Sequence, residues 1–336
     1  MSDFDAASRQ FFSLPRDEKM KLKRSANNAR GYFDDELTKQ RRDWKEALDV
    51  GRPASCSWDV RDGDASNECL EGYNVFPDEL LPDFRGSVTS YFEEMTQLSL
   101  HLISIMLLGL GLADRELIDE LRSSHMSYLR LNFYPRFVPN EDTEAAGSPA
   151  PLGISPHKDA GLLTVLRQDD DCHSLQVRSR DGVGWVSVSP VPGALTINTG
   201  DMFEIVSNRR AFAPEHRVLT NADSERYSAP FFFNPGYRMR IAPDVSLGEP
   251  VFDEVYWGYF RAQRFAGDFS DYGAEIQTSD FLLSGSGDCF HVENQRKFMR
   301  VADFTKRFDC DAFEPLLARG ASDSTARLND QTHRRP

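Results

Sequence analysis

Cysteine is scarce: the 336 residues contain five, Cys56, Cys69, Cys172, Cys289 and Cys310, an odd and scattered set with no Cys-x-x-Cys pair. That excludes a disulfide-stapled scaffold and fits a reducing compartment. Positive charge is the minority sign, with 39 Lys and Arg against 53 Asp and Glu, for a formal net charge of −14. Such a field repels phosphate backbones and anionic lipid, so neither nucleic acid nor a membrane surface is an expected partner, and a small molecule is. Long hydrophobic runs are missing. The most apolar stretch, Met95 to Leu112, is broken by Thr96, Gln97, Ser99, His101 and Ser104 and reads as a buried helix, not a membrane span. The opening MSDFDAASRQFF has acids where a secretory signal has Lys or Arg, so the expectation is a cytoplasmic protein, taken as a monomer. Internal repeats and a glycine-rich phosphate loop are also lacking.

What is present divides by periodicity. From Asp3 to about Leu112 the pattern is mostly helical: FFSLPRDEK and the basic run DEKMKLKRS come first, and later Val88, Phe92, Met95, Leu98, Leu102 and Ile105 recur at three- and four-residue steps. Ala54 to Gly72 reads as a surface loop. From His125 the period becomes two, in short runs parted by turn residues: YLRLNFYP, LLTVLRQ, SLQVRS, WVSVSP, ALTINTG, MFEIVS, HRVLTN, RYSAPFFF and YRMRIAP. Many short strands at regular spacing predict an antiparallel sandwich or jelly roll. Helices are expected around Asp253–Phe265 and Glu293–Phe308. The expected organisation is a helical region over 1–120, a jelly-roll core with C-terminal helices over 121–320, and a flexible tail over 321–336.

Chemistry concentrates on a few polar residues in those strands. His157 and Asp159, in SPHKDAGLLTVL, sit two apart at the expected start of a strand and so project to one face; His216, in PEHRVLT, can join them from a distant strand. Two imidazoles and a carboxylate form the facial set that suits non-haem Fe(II) and leaves open positions. Spacing alone discriminates nothing, because the sequence also contains His291-Val-Glu293. Context adds weight. Arg226 and Ser228 share a strand face in RYSAPFFFNP, offering a permanently charged fork and a hydroxyl donor to a carboxylate. Asn132 and Tyr134 share another face in RLNFYP, with Arg130 on the same side.

These motifs, in the order LRLNFYP, HKDAGLLTVL, SLQV…GWVSVSPVPGALTINTGDMFEIVSN, HRV and RYSAPFFFNP, resemble the Fe(II)/2-oxoglutarate-dependent dioxygenases of the isopenicillin N synthase-like group. The N-terminal segments FFSLPRDEK, GYFDDE and DWKEALDVG and the later DYGAEIQTSDFL are similar to the same group. The resemblance implies a double-stranded β-helix (jelly roll) flanked by helices. It implies iron on His157, Asp159 and His216, and 2-oxoglutarate held by Arg226, Ser228, Asn132 and Tyr134. It further implies consumption of O2, release of succinate and CO2, stimulation by ascorbate, and hydroxylation, desaturation or oxidative ring closure of a small molecule. A relative that needs iron but no 2-oxoglutarate, and a jelly roll that has lost its chemistry, remain as alternative readings.

The chain departs from the family pattern in three places. It begins almost at the first helix, where the family usually opens with an apolar strand; Lys158 stands where Thr or Ser is commoner; and the tract VPNEDTEAAGSPAPLGIS before His157 is long, as expected of a mobile loop at the pocket mouth. Alternation should turn Lys158 away from the metal. For the substrate, Phe232 is either a pocket wall or a core aromatic, and Arg130 could bind a substrate carboxylate or assist 2-oxoglutarate. Arg30, Tyr32, Arg41, Arg42 and Trp44, in RGYFDDELTKQRRDW, could bring polar groups to the pocket or form a solvated helix and turn. An anionic or amino-acid-like substrate is expected.

Overall fold

The computed structural model describes residues 2–25, 28–38, 41–53, 72–112, 115–138, 150–269, 276–283 and 290–301. The chain opens with α1 (Ser2–Ser13) and α2 (Arg16–Met20). Phe4, Ala7, Phe11 and Phe12 recur at helical spacing and form the buried face of α1, with Phe4 stacked on Tyr91 at 3.9 Å between ring centroids. Next come β1 (Gly31–Phe33), β2 (Leu37–Thr38), β3 (Arg41–Arg42), β4 (Glu46–Gly51), α3 (Phe84–Gly109) and α4 (Arg115–Ser123). Helix α3 buries Val88, Phe92 and Met95 as the spacing predicts, but Ile105, expected on that face, is 64% exposed.

The barrel follows: β5 (Tyr128–Tyr134), β6 (Leu152–His157), β7 (Leu163–Gln168), β8 (Leu175–Arg178), β9 (Trp185–Ser187), β10 (Thr196–Thr199), α5 (Asp201–Val206), β11 (His216–Leu219) and β12 (Arg226–Phe233). The chain continues through β13 (Arg240–Ile241), β14 (Val255–Tyr256), α6 (Trp257–Phe269) and α7 (Phe290–Val301). Six strands pair in the order β1-β4-β5-β12-β7-β10, and four in the order β6-β11-β8-β9. All these pairings are antiparallel, and the two sheets form the double-stranded β-helix that the short-strand pattern predicts. Among the described residues no helix is long and apolar enough to cross a membrane.

Three readings of local structure are corrected. The described residues of 31–38 and 41–51 are not helical: β1 and β4 form the edge of the six-stranded sheet, and β4 pairs with β5 along its whole length. Glu, Ala and Leu in EALDVG favour a helix, but Ala47, Leu48 and Val50 are buried on both faces of the strand, and tertiary pairing overrides so weak a propensity. MFEIVS is not a strand but most of α5, whose six residues are all buried. A short, fully buried apolar run has no periodicity to read, and the extended Gly200 before it, with Asp201 in the first turn, is the helix-start signal. His157 ends β6 and Asp159 lies in the turn before β7, so the two do not share a strand face by alternation. The expected loop over Ala54–Gly72, most of the 138–155 tract (139–149) and the tail over 321–336 lie outside the described residues, apart from Gly72 itself.

Where the β1 and β4 edge meets β5, six ionic side chains are packed together. Arg130 on β5 donates to both oxygens of Asp49, its cross-strand partner on β4, at 2.7 and 2.8 Å, and to Glu36 at 3.0 Å. Lys45 pairs with Glu36 at 2.6 Å and Asp43 at 3.2 Å, and Arg24 lies 3.8 Å from Glu36. Burial pushes the Glu36 carboxyl up, but Arg130, Lys45 and Arg24 overcome this and hold it well below the usual range. Breaking such a cluster costs more than forming it returns. Glu36→Gln is therefore expected to lower stability by about 3–5 kcal/mol near neutral pH, by leaving Lys45 and Arg130 undercompensated in a dry site. Because the folded pKa lies below the unfolded one, the Glu36 contribution is complete above about pH 4.3 and is lost as pH falls towards the folded value. Denaturant unfolding at several pH values checks this: the gap between the two proteins should narrow only in acid.

Candidate active site

The two sheets enclose a cavity of about 350 Å³. His157, Asp159 and His216 line it together with Arg226, Ser228, Asn132, Tyr134 and Phe232. The pairing register explains the convergence. His216 at the start of β11 sits directly opposite His157 at the end of β6; on the other sheet, Arg226 pairs with Tyr134 and Ser228 with Asn132. Residues scattered along the sequence thus become two rungs on one face of a sheet, in the same cavity as one imidazole pair.

The imidazole rings are 4.3 Å apart between centroids, and Asp159 Oδ1 lies 3.7 Å from His157 Nε2 and 3.6 Å from His216 Nε2. All three ligand atoms fall within 4.8 Å of one another, and no other such group occurs among the described residues. Each ring is oriented in the same way: Nδ1 of His157 donates to the Ser155 carbonyl at 2.8 Å, and Nδ1 of His216 to the Pro214 carbonyl at 3.1 Å. A carbonyl only accepts, so both rings are Nδ1–H tautomers with the Nε2 lone pair turned to the centre. Burial, with His216 beside it, lowers the His157 pKa to about 3, which keeps the ring in its neutral, ligating form. Burial raises the Asp159 carboxyl, but the two histidines and the hydrogen bonds from Thr164 and Asn198 outweigh this and lower it overall. Two imidazoles that turn Nε2 to one point and a carboxylate held low fit Fe(II).

Arg226 has the features of an anion-binding group. It is 1% exposed and has no carboxylate partner among the described residues. Its Nη2 donates to Gln168 Oε1 at 3.0 Å and its Nη1 to Ser228 Oγ at 3.3 Å, while Nε is buried without a partner. The guanidinium lies 4.8 Å from the Tyr134 ring centroid. Asp169 acts on this charge only at a distance, and a buried cation without a directly paired carboxylate is costly; a ligand carboxylate would relieve it with a bidentate pair. Asn132 Oδ1 is also buried and unpartnered; turned over, this amide presents its N–H donors to the same guest.

Arg130 is corrected. It shares the strand face of Asn132 and Tyr134, but its donors are taken by Asp49 and Glu36, and it does not line this cavity. The burial that brings it to the inner face also brings two carboxylates from elements distant in sequence. The described residues of RGYFDDELTKQRRDW likewise do not line this cavity. Arg30 donates to the Arg52 carbonyl, Tyr32 to Glu46, and Trp44 Nε1 to the Pro135 carbonyl, while Arg41 and Arg42 are exposed on β3. Phe232 does line the cavity and stacks on Tyr128 at 4.7 Å. Lys158 reaches Glu204 at 3.4 Å instead of the centre. His291, of the second His-x-acid pair, is buried on α7 against the Tyr259 hydroxyl.

Three residues escaped the sequence reading: Gln168, which holds Arg226, and Thr164 and Asn198, which both donate to Asp159. Their signal was a polar residue on the inward face of an apolar strand. Thr164 and Gln168 alternate with Leu163 and Val165 in β7, and Asn198 follows Ile197 in β10.

A double-stranded β-helix with a part-buried His-Asp-His centre and a buried arginine outside any ion pair among the described residues defines the class. Residues 126–235 match the 2OG-Fe(II) oxygenase superfamily, and residues 1–79 match the non-haem dioxygenase in morphine synthesis N-terminal family. The chain is 32% identical over 263 residues to oxoglutarate-dependent flavonoid 7-O-demethylase 1 of Ocimum basilicum, across 78% of this chain and 64% of that protein. It is 32% identical over 242 residues to homoarginine-6-hydroxylase 2-ODD-C23.1 of Arabidopsis thaliana, across 70% of this chain and 69% of that one. The crystal structure of JOX2 in complex with 2OG, Fe and JA superposes with a TM-score of 0.62 at 28% identity, covering 77% of this chain and 72% of the other. The chain belongs to the 2OG-Fe(II) oxygenase superfamily. It spans a little under two thirds of the length of several curated relatives, 62–64% for three of them.

Proposed function

We propose that this chain is an Fe(II)- and 2-oxoglutarate-dependent oxygenase of a small molecule. The observation that carries the reading is Arg226: a buried guanidinium with an unpartnered Nε and, among the described residues, no carboxylate within ion-pair distance, in the cavity that also holds the His157–Asp159–His216 set. When bound, Fe(II) supplies the redox chemistry that couples conversion of 2-oxoglutarate and O2 to succinate and CO2 with oxidation of a substrate C–H bond. His157, Asp159 and His216 would hold the metal. Arg226 and Ser228, with Asn132 and Tyr134, would hold the far carboxylate of the cosubstrate and so fix its orientation. Leu166, Leu175, Val177 and Val188 exclude water from the cavity, and Phe232 offers an apolar wall to the substrate.

With Arg130 neutralised, the case for an anionic substrate weakens, and the apolar lining favours a substrate that presents an unactivated C–H group. The relatives named for flavonoid demethylation and homoarginine hydroxylation accord with hydroxylation as the default outcome, ahead of desaturation or ring closure. The same reading takes the chain as a cytoplasmic monomer with no nucleic-acid or membrane partner, on its net charge of −14 and cysteine pattern. It takes 121–320 as the oxygenase core that 1–120 packs against and completes. The test is a screen of small molecules for substrate-stimulated succinate formation with Fe(II), 2-oxoglutarate and ascorbate. Stimulated succinate is the expected result; turnover without succinate would replace the reading with a 2-oxoglutarate-independent iron oxidase.

A further inference from the structure

We infer that Thr164 and Asn198 are positioning residues that restrict Asp159 to a single metal-facing oxygen. The inference rests on the reading of the His157–Asp159–His216 set as an iron centre. Thr164 Oγ1 donates to Asp159 Oδ2 at 2.6 Å and Asn198 Nδ2 donates to the same oxygen at 2.8 Å. The other oxygen, Oδ1, is the one 3.7 and 3.6 Å from the two Nε2 atoms. A carboxylate oxygen has about two in-plane lone-pair sites, so two donors saturate Oδ2 and leave only Oδ1 to a metal.

The fold makes this asymmetry rigid. Thr164 on β7 and Asn198 on β10 are direct cross-strand partners, so both donors come from one rung of the six-stranded sheet. Asn198 Nδ2 also reaches the Thr199 carbonyl at 3.4 Å, which assigns the amide orientation. The Asp159 backbone is held as well: its carbonyl accepts from Asp201 N at 2.8 Å, and a Cβ on Gly200 would collide with the carbonyl oxygens of Gly161 and Asp159. The carboxylate therefore approaches the centre in one orientation. Ligation through both oxygens would take a coordination position that the cosubstrate, oxygen or water needs. The pair preserves the open half of the centre.

The test uses Mn(II) as the probe and the relaxation rate of water protons as the readout, which counts metal-bound waters and is insensitive to turnover. The wild-type chain should bind Mn(II) with about three waters, and Thr164→Ser, which keeps the hydroxyl, should match it. Thr164→Val/Asn198→Leu frees Oδ2 and should lose about one third of the bound-water contribution, with Mn(II) affinity altered by about 10-fold or more. Asn198→Leu alone should shift the same way by less, and it decides the question if the double variant does not fold. A wild-type water count in Thr164→Val/Asn198→Leu, or in Asn198→Leu where the double variant does not fold, would overturn the inference. Failure of the wild-type chain to bind Mn(II) would instead overturn the iron reading beneath it.

Discussion

Asp159→Ala and His157→Ala are each expected to abolish substrate-stimulated succinate formation and to remove stoichiometric Fe(II) or Mn(II) binding while leaving the fold intact. The loss should exceed the roughly 10–100-fold produced by changes to outer hydrogen-bond partners, because a ligand itself is gone. The fold should survive because the three side chains line a cavity and none belongs to either hydrophobic cluster. Asp159→Ala leaves two donors, Thr164 and Asn198, without their acceptor, a modest cost that water entering the enlarged cavity can offset. Metal titration, succinate assay and thermal unfolding on the same preparations check all three points. Wild-type activity in either variant would sink the assignment.

Arg226→Ala should act differently, on cosubstrate affinity. Removing the one cation that meets a desolvated carboxylate costs about 2–5 kcal/mol, so the 2-oxoglutarate KM should rise by a factor between about 30 and several thousand. Metal binding should persist, since Arg226 touches Gln168 and Ser228 and not the histidines. Stability should fall less than in Glu36→Gln, because among the described residues no carboxylate in ion-pair contact is left behind, only the Gln168 amide oxygen. An unchanged 2-oxoglutarate requirement would refute the role of Arg226 and point to an oxidase that uses this arginine on its own substrate.

How much of this was legible depended on the range over which each residue is determined. His157, Asp159, His216, Arg226, Ser228, Asn132 and Tyr134 could be picked out because their motifs follow one another in the order of the dioxygenase family; taken singly, each was as ordinary as any polar residue near a strand. Their grouping needed only the jelly-roll pairing, and the register brings them together. Phe232 was an even choice between wall and core, and the cavity resolves its position but not its role. Thr164 and Asn198 were hidden because a threonine or asparagine in a strand is ordinary until its partner is known. Arg130 was misjudged because alternation tells which face a side chain takes and nothing of what else arrives there. Glu36 and Asp49 reach it from 94 and 81 residues away.

The sequence by itself therefore determined the β-helix class, the ligand types and, for Arg226 with Ser228 and Asn132 with Tyr134, the strand faces, since these follow from two-residue alternation and from what each side chain can donate or accept. Only the tertiary structure decided which charges are free. Arg226 and Arg130 are both inward arginines of the six-stranded sheet. The first meets an amide and a hydroxyl and keeps its capacity for an anion, while the second meets two carboxylates and loses it. In a low-dielectric interior the nearest opposite charge sets what a cation can bind, and that neighbour is supplied by long-range packing.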